Sequence, residues 1–199
     1  MEQIKGNGEV KITRLETFLV KPRWIFLKVH TNVGIYGLGE PLLEGRALTI
    51  QTAIKEIEPY LIGKDPRNVV HHWQAIYRHA FYRGGPILTS ALSGIDQALW
   101  DIKGKEVGKP VCELLGGPVR DTLRFYDHLG GGTLENMYKS VEPEEFAERI
   151  LMSMENGFSA VKAMPIPVSE LIENPATMKR AARCVQAMRE AAGDGVDIM

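Results

Sequence analysis

The 199-residue sequence is short of several things, and each shortage closes off a class of protein. It has two cysteines. Cys112 and Cys184 lie far apart and fall in no CxxC or Cys/His spacing, so neither a disulfide framework nor a zinc site is read. Both are expected to be free, buried, reduced thiols. Neither sign of charge is in excess: 24 Lys+Arg against 25 Asp+Glu leave a formal net charge of -1. That balance offers no electrostatic hold on nucleic acid or an anionic membrane, and neither is expected as a partner. No apolar run reaches the roughly 18 residues of a membrane span. The opening MEQIKGNGEVKI lacks an apolar h-region, so no signal peptide is read and a cytoplasmic protein is expected. There is no repeat and no low-complexity tract, and Gly130-Gly131-Gly132 is not the GxGxxG of a dinucleotide site. What remains, 44% hydrophobic and 25% charged, suits one large or two small globular domains.

The strongest pattern is Ala91 to Gly117, ALSGIDQALWDIKGKEVGKPVCELLGG. Leu88, Leu92, Ile95, Leu99 and Ile102 recur at +4, +3, +4, +3, one stripe of a helix. Pro86 suits its start and Gly104 to Gly108 its stop, with VCELL as a short second helix. Gly94 inside the long helix costs about 1 kcal/mol against Ala, which implies that a backbone passes close to it. Upstream, residues 1–9 read as loose. Strands are read at Val10–Val20 (with imperfect alternation), Trp24–His30 and Ile35–Glu40, a three-stranded antiparallel meander. Ala47, Ile50, Ile54, Ile57 and Leu61 stripe one helix, and Val69, Trp73, Ile76 or Tyr77, and Ala80 another; Trp73 and Trp100 are read as core. Residues 1–117 therefore predict an α+β domain.

After Gly117 the rhythm changes. Short strands are read at Thr122–Asp127, Phe158–Lys162 and Val196–Met199. Between them lie a helix opening at Pro143-Glu144-Glu145 and one striped by Ala181, Val185, Met188 and Ala192. This β-α-β-α-β order predicts parallel strands with right-handed crossovers. A closed eight-fold barrel needs roughly 250 residues, so residues 118–199 are read as the start of a barrel, incomplete within this chain.

Ser93-Gly94-Ile95-Asp96, Ala98-Leu99, Asp101-Ile102, Gly104-Lys105, Pro110-Val111 and Leu114-Leu115-Gly116 together resemble the signature of the enolase superfamily, in its mandelate racemase and muconate lactonizing enzyme branch. The resemblance implies an N-terminal capping domain followed by a truncated (β/α) TIM-type barrel. It implies Mg²⁺ held by acids at later strand ends, the first just after Met199, and hence no metal ligand within this chain. It also implies an acid-sugar substrate and a homo-oligomer in the full-length enzyme.

Barrel chemistry sits at the C-terminal ends of strands. That rule selects Tyr126, Asp127 and His128, then Lys162 and Met164. Lys162 is the sharpest choice, because its ammonium would stabilise charge growing on a substrate carboxylate and enediolate; the plainer reading is an exposed strand end. Many members of the branch carry Lys-x-Lys here, the second Lys being a base. Lys162-Ala163-Met164 lacks it and is similar to the sugar-acid dehydratases, which use histidines further along, and this argues against a two-base racemase. His128 resembles a substrate-contacting His of mannonate-type dehydratases, or it packs beside a glycine-rich loop. One carboxylate, Asp127, makes no Mg²⁺ site.

In the capping domain, Gly39-Glu40-Pro41 with Glu44-Gly45-Arg46, and Phe81-Tyr82-Arg83-Gly84-Gly85-Pro86, resemble the galactonate dehydratase group. Glu44, Arg46, Tyr82 and Arg83 thereby become substrate-binding candidates. Arg46 would meet a carboxylate or pair with Glu44, and Glu44 suits a helix N-terminus. His71 and His72, being adjacent on a helix, cannot chelate one metal and are read as structural or exposed. The implied function is a Mg²⁺-dependent sugar-acid dehydratase, a hydro-lyase removing an α-proton and then a β-hydroxyl, with this chain inactive alone. The alternatives are a sugar-acid cycloisomerase, a mannonate-type dehydratase, or a non-catalytic truncated protein.

Overall fold

The computed structural model describes residues 9–21, 23–78, 81–129, 142–166 and 171–199. The expectations for residues 1–8, Ala80 and Gly130–Gly132 fall outside them. The chain divides into two compact units, Met1–Val119 and Arg120–Met199.

The first unit opens with β1 (Ile12–Val20), β2 (Trp24–Thr31) and β3 (Tyr36–Gly39), antiparallel in the order β1-β2-β3. Ile25, Leu27 and Val29 of β2 are fully buried and alternate with Trp24, Phe26, Lys28 and His30, as a sheet with one covered face requires. The imperfect alternation of β1 has a physical source: its register against β2 shifts between Ile12 and Arg14. The connection after the first helix completes the edge of β1. Gly63 N–H donates to Ile12 O at 2.8 Å, and Ile12 N–H to Lys64 O at 2.9 Å.

Three longer helices cover the inner face: α1 (Ala47–Leu61), α2 (Val69–Arg78) and α3 (Gly85–Val107), followed by the short α4 (Val111–Leu114). Ile50, Ala53, Ile54 and Leu61 of α1 and Ala91, Ile95, Ala98, Leu99 and Ile102 of α3 join Ile25, Leu27 and Val29 in one core. Helix α3 stops where Gly108 adopts φ 68°, the left-handed geometry of a C-terminal cap. Strand β3 lies directly on α3. A Cβ on Gly39 would stand 1.9 Å from Gly94 O, one on Gly37 1.9 Å from Ala98 O, and one on Gly94 2.4 Å from Pro41 Cβ. The backbone that passes close to Gly94 is therefore that of β3 and Pro41. Side chains of α3 complete the contact, since Leu38 N–H donates to Asp101 Oδ2 (2.9 Å) and Glu40 N–H to Gln97 Oε1 (2.8 Å).

Several expectations need correction. Leu88 is 40% exposed, because the first turns of α3 border a groove rather than the sheet. Trp73 is likewise 40% exposed and stacks on Tyr77, with ring centroids 5.0 Å apart, instead of entering the core. Its place on the inner face of α2 is taken by His72, which is 2% exposed. Cys112 is exposed; only Cys184 is buried, and burial pushes its thiol up.

The second unit contains α5 (Pro143–Glu155), β4 (Ala160–Val161), α6 (Pro175–Ala192) and β5 (Asp197–Ile198). Glu142 and Glu145 form a reciprocal capping box at α5, and Asn174 Oδ1 accepts from Ala176 N–H at α6. Strands β4 and β5 pair in parallel. The expected strand at Thr122–Asp127 is irregular instead, joined to β4 by one parallel bridge, Asp127 to Val161. The apolar stripe of α6 is Ala181, Cys184, Met188 and Ala192; Val185 is 42% exposed, one residue off the predicted face. Cys184, Met188 and Ala192 meet Phe146, Ile150, Val161 and Val196 in a separate small core.

Candidate functional site

The parallel ladder of the second unit aligns three chain segments, and its two ends differ in chemistry. At the N-terminal end Arg124 ties all three together: Nε–H donates to Ser159 Oγ (3.0 Å), Nη2–H to Ser159 O (2.5 Å), and Nη1 pairs with Asp197. At the C-terminal end Lys162 N–H donates to Asp127 O (2.7 Å) and Ala163 N–H to Met199 O (2.9 Å). The structure thus brings His128, next to Asp127, and Lys162 to the same end of adjacent segments. Lys162 is exposed and His128 half-buried. Asp127 is engaged elsewhere, its Oδ2 accepting from the buried Ser153 Oγ of α5 at 2.5 Å. That bond turns its carboxylate into a tie between segment and helix. Among the described residues no three His, Cys, Asp or Glu side chains converge as a metal site.

In the first unit, Glu44 and Arg46 share the turn before α1. They do not pair with each other. Glu44 Oε1 stands 3.2 Å from Arg23 Nη1, while Arg46 Nη1–H donates to Gly45 O at 3.1 Å. Arg46 is also the residue preceding α1, and its side chain makes no capping bond. Tyr82 and Arg83 belong to a second feature. Arg83 lies over the Tyr77 ring, 5.3 Å from its centroid. Tyr82, 81% exposed, borders an apolar groove of about 420 Å³ with Ile57, Tyr60, Ile76, Tyr77 and Leu88.

Two polar residues carry structure: His72, one of the adjacent pair read as structural or exposed, and a second that pattern reading missed. His72 Nε2 lies 2.8 Å from Asp65 O, which can only accept, so Nε2 carries the proton and Nδ1 accepts from Tyr60 Oη–H at 3.1 Å. Burial holds the His72 pKa below its ordinary value. Arg23, in the turn between β1 and β2, is the other. Its signal in the sequence was a cation in a strand connection, with no periodicity to mark its acidic partner.

Residues 12–116 match the profile of the mandelate racemase/muconate lactonizing enzyme N-terminal domain. The chain belongs to this family. Its meander-and-helix unit is that family's capping domain. Among curated relatives, it is 45% identical over 188 residues to D-galactonate dehydratase of Pectobacterium atrosepticum, an alignment that takes in 94% of this chain and 47% of the relative. The chain spans about half the length of the curated relatives it matches. Among solved structures of the family's fold, a candidate dehydratase from Zymomonas mobilis ZM4 superposes with TM-score 0.87 at 33% identity, covering 96% of this chain and 54% of that one. An enolase from Pantoea ananatis, solved with bound D-gluconate and Mg, gives TM-score 0.77 at 30% identity, covering 95% and 52%. The two curated relatives, from Pectobacterium atrosepticum and Variovorax paradoxus, are both named D-galactonate dehydratase. No helix among the described residues is long and apolar enough to cross a membrane.

Proposed function

We propose that this chain is the capping domain and opening barrel segment of a Mg²⁺-dependent sugar-acid dehydratase of the galactonate type, acting in the cytoplasm as a homo-oligomer. The observation that carries this reading is the 45% identity to D-galactonate dehydratase along nearly the whole chain. In the reaction, a base removes the proton α to the carboxylate, and the electron pair moves into an enediolate. Expulsion of the β-hydroxyl, with one proton supplied to it, leaves water and an enol that ketonises to a 2-keto-3-deoxy acid. Magnesium, when bound, stabilises the enediolate charge. Among the described residues no three His, Cys, Asp or Glu side chains converge, and the roles assigned to this chain's residues are independent of the metal.

What this chain contributes is charge and recognition. Lys162 is exposed at the end of a parallel strand, where its ammonium favours negative charge on the substrate oxygens as the α-proton leaves. His128 at the same ladder end, and Glu44, Arg46, Tyr82 and Arg83 in the capping domain, are assigned to the substrate hydroxyls and carboxylate. The test is to assay the complete gene product with Mg²⁺ against a panel of acid sugars, reading 2-keto acid formation. Galactonate is expected to give the highest kcat/KM, and the purified 199-residue chain is expected to give no turnover. A complete product inactive on every acid sugar, or converting one by ring closure instead of water loss, would overturn the assignment.

A further inference from the structure

The Arg23–Glu44 pair joins two connections that lie on opposite sides of the meander in the chain. Arg23 follows β1, whereas Glu44 follows β3, so everything from β2 to β3 lies between them. Arg23 is the more buried partner, its side chain 26% exposed against 61% for Glu44. Its guanidinium carbon lies 5.4 Å from the centroid of the Trp24 ring, and its Nε is buried with no acceptor among the described residues. The Glu44 carboxylate is therefore the anionic contact described for a cation that is largely withdrawn from water. The turn bearing Glu44 is itself closed, since Arg46 N–H donates to Leu43 O at 3.0 Å and the Arg46 guanidinium returns to Gly45 O. Holding the Glu44 carboxylate consequently holds the whole turn, including the root of the Arg46 side chain.

We infer that Arg23 is a positioning residue that clamps the 42–46 turn and so sets the placement of Glu44 and Arg46 for an acid substrate. The second half of this statement rests on the proposed function; the clamp itself does not. Arginine suits the task because a planar guanidinium can face an aromatic ring and still direct an N–H to a carboxylate, which a lysine ammonium does less well.

Two measurements test it. In this chain, hydrogen exchange at amides 42–46 is compared for R23A, R23K, E44Q and the R23A/E44Q double variant. A partly exposed ion pair changes a local opening equilibrium by roughly three- to fivefold. R23A and E44Q should each speed exchange by about that factor, the double variant no further, and R23K less, while Ile25–Val29 stay as slow as in the parent. In the complete gene product, R23A should raise KM for the preferred acid sugar by about three- to fivefold with kcat nearly unchanged, and R23K should recover part of the loss. Unchanged exchange at 42–46, or additive effects in the double variant, overturns the clamp. Faster exchange with an unchanged KM overturns its role in substrate placement. A wild-type product inactive on all acid sugars would refute the proposed function while the exchange arm still decides the clamp.

Discussion

The two units of this chain are held together in different ways. The first closes a three-stranded sheet under three helices, with β3 laid on α3 so tightly that Gly37 and Gly39 leave no room for a methyl group. The second has strands of two residues each, and its core is one small cluster between two helices and a short parallel ladder. Yet Lys162 and His128, two of the residues assigned to substrate, lie in the thinner unit. On the proposed assignment, the residue charged with stabilising the enediolate lies outside the larger core, and the difference teaches that a substitution can be aimed at stability or at chemistry alone.

The largest expected effect is on the tight contact. Gly39→Ala places a methyl carbon where Gly94 O stands 1.9 Å away, and both clashing partners are backbone. It should cost the first unit about 4 kcal/mol or more, read as a shifted urea midpoint at unchanged slope. A midpoint equal to that of the parent would show that β3 can lift off α3 cheaply. Lys162→Met is the converse. In the complete gene product it should lower kcat/KM by about 10²-fold or more, with circular dichroism and unfolding unchanged, because the ammonium is exposed at a strand end. Rates within about threefold of wild type in a folded variant would return Lys162 to the status of a solvated terminus.

Next in size is the difference between the units themselves. Amides of β2 and of Leu92–Ile102 should exchange at least about tenfold more slowly than those of Phe158–Met199. Equal or reversed protection would mean that the short ladder is stabilised by more than its visible core. The smallest effect concerns pH within the first unit. Burial keeps His72 neutral in the folded state, where it donates to Asp65 O and accepts from Tyr60, with the Lys64 ammonium adding positive charge nearby. Its folded pKa is lowered, so the unfolded chain takes up the proton first as pH falls. The His72 contribution is complete above the ordinary value of 6.5 and is lost below it. Stability should decline as pH falls below 6.5, by at most about 1.4 kcal/mol per unit for this one proton, and His72→Gln should flatten that slope. An identical slope in the variant would assign the titration to another group.

Much of the first unit was legible because its signals are repetitive. Ile50, Ile54 and Leu61, and Leu92, Ile95, Leu99 and Ile102, each repeat one face several times, so a single ambiguous residue cannot move the stripe. Val185 shows the limit. Its neighbour Cys184 is equally apolar, and a shift of one residue turns a helix face by about 100°. Trp73 failed for another reason: hydrophobic size suggested core, but the inner face of α2 went to a histidine whose two ring nitrogens both find partners. The strand at Thr122–Asp127 looked regular by composition and is not, since one bridge to β4 is its only ladder pairing among the described residues. For the candidate site, the strand-end rule selected Lys162 and His128 separately, and the parallel ladder brings them to the same end. The link from Glu44 to Arg23 left no trace in periodicity, because an ion pair between two turns depends on how the strands between them are paired.

The edges of the meander carry one more consequence. On the β3 side, Asp101 and Gln97 of α3 occupy the N–H groups of Leu38 and Glu40. On the β1 side, Glu58 of α1 takes the Leu15 N–H at 2.8 Å, and Gly63 and Lys64 take both backbone groups of Ile12. Where those groups are occupied, at Ile12 and Leu15 on one margin and at Leu38 and Glu40 on the other, the sheet is a poor template for a visiting strand. Peptides or sister copies that approach those stretches must read side chains rather than backbone, and strand addition there must wait until α1 or α3 comes away.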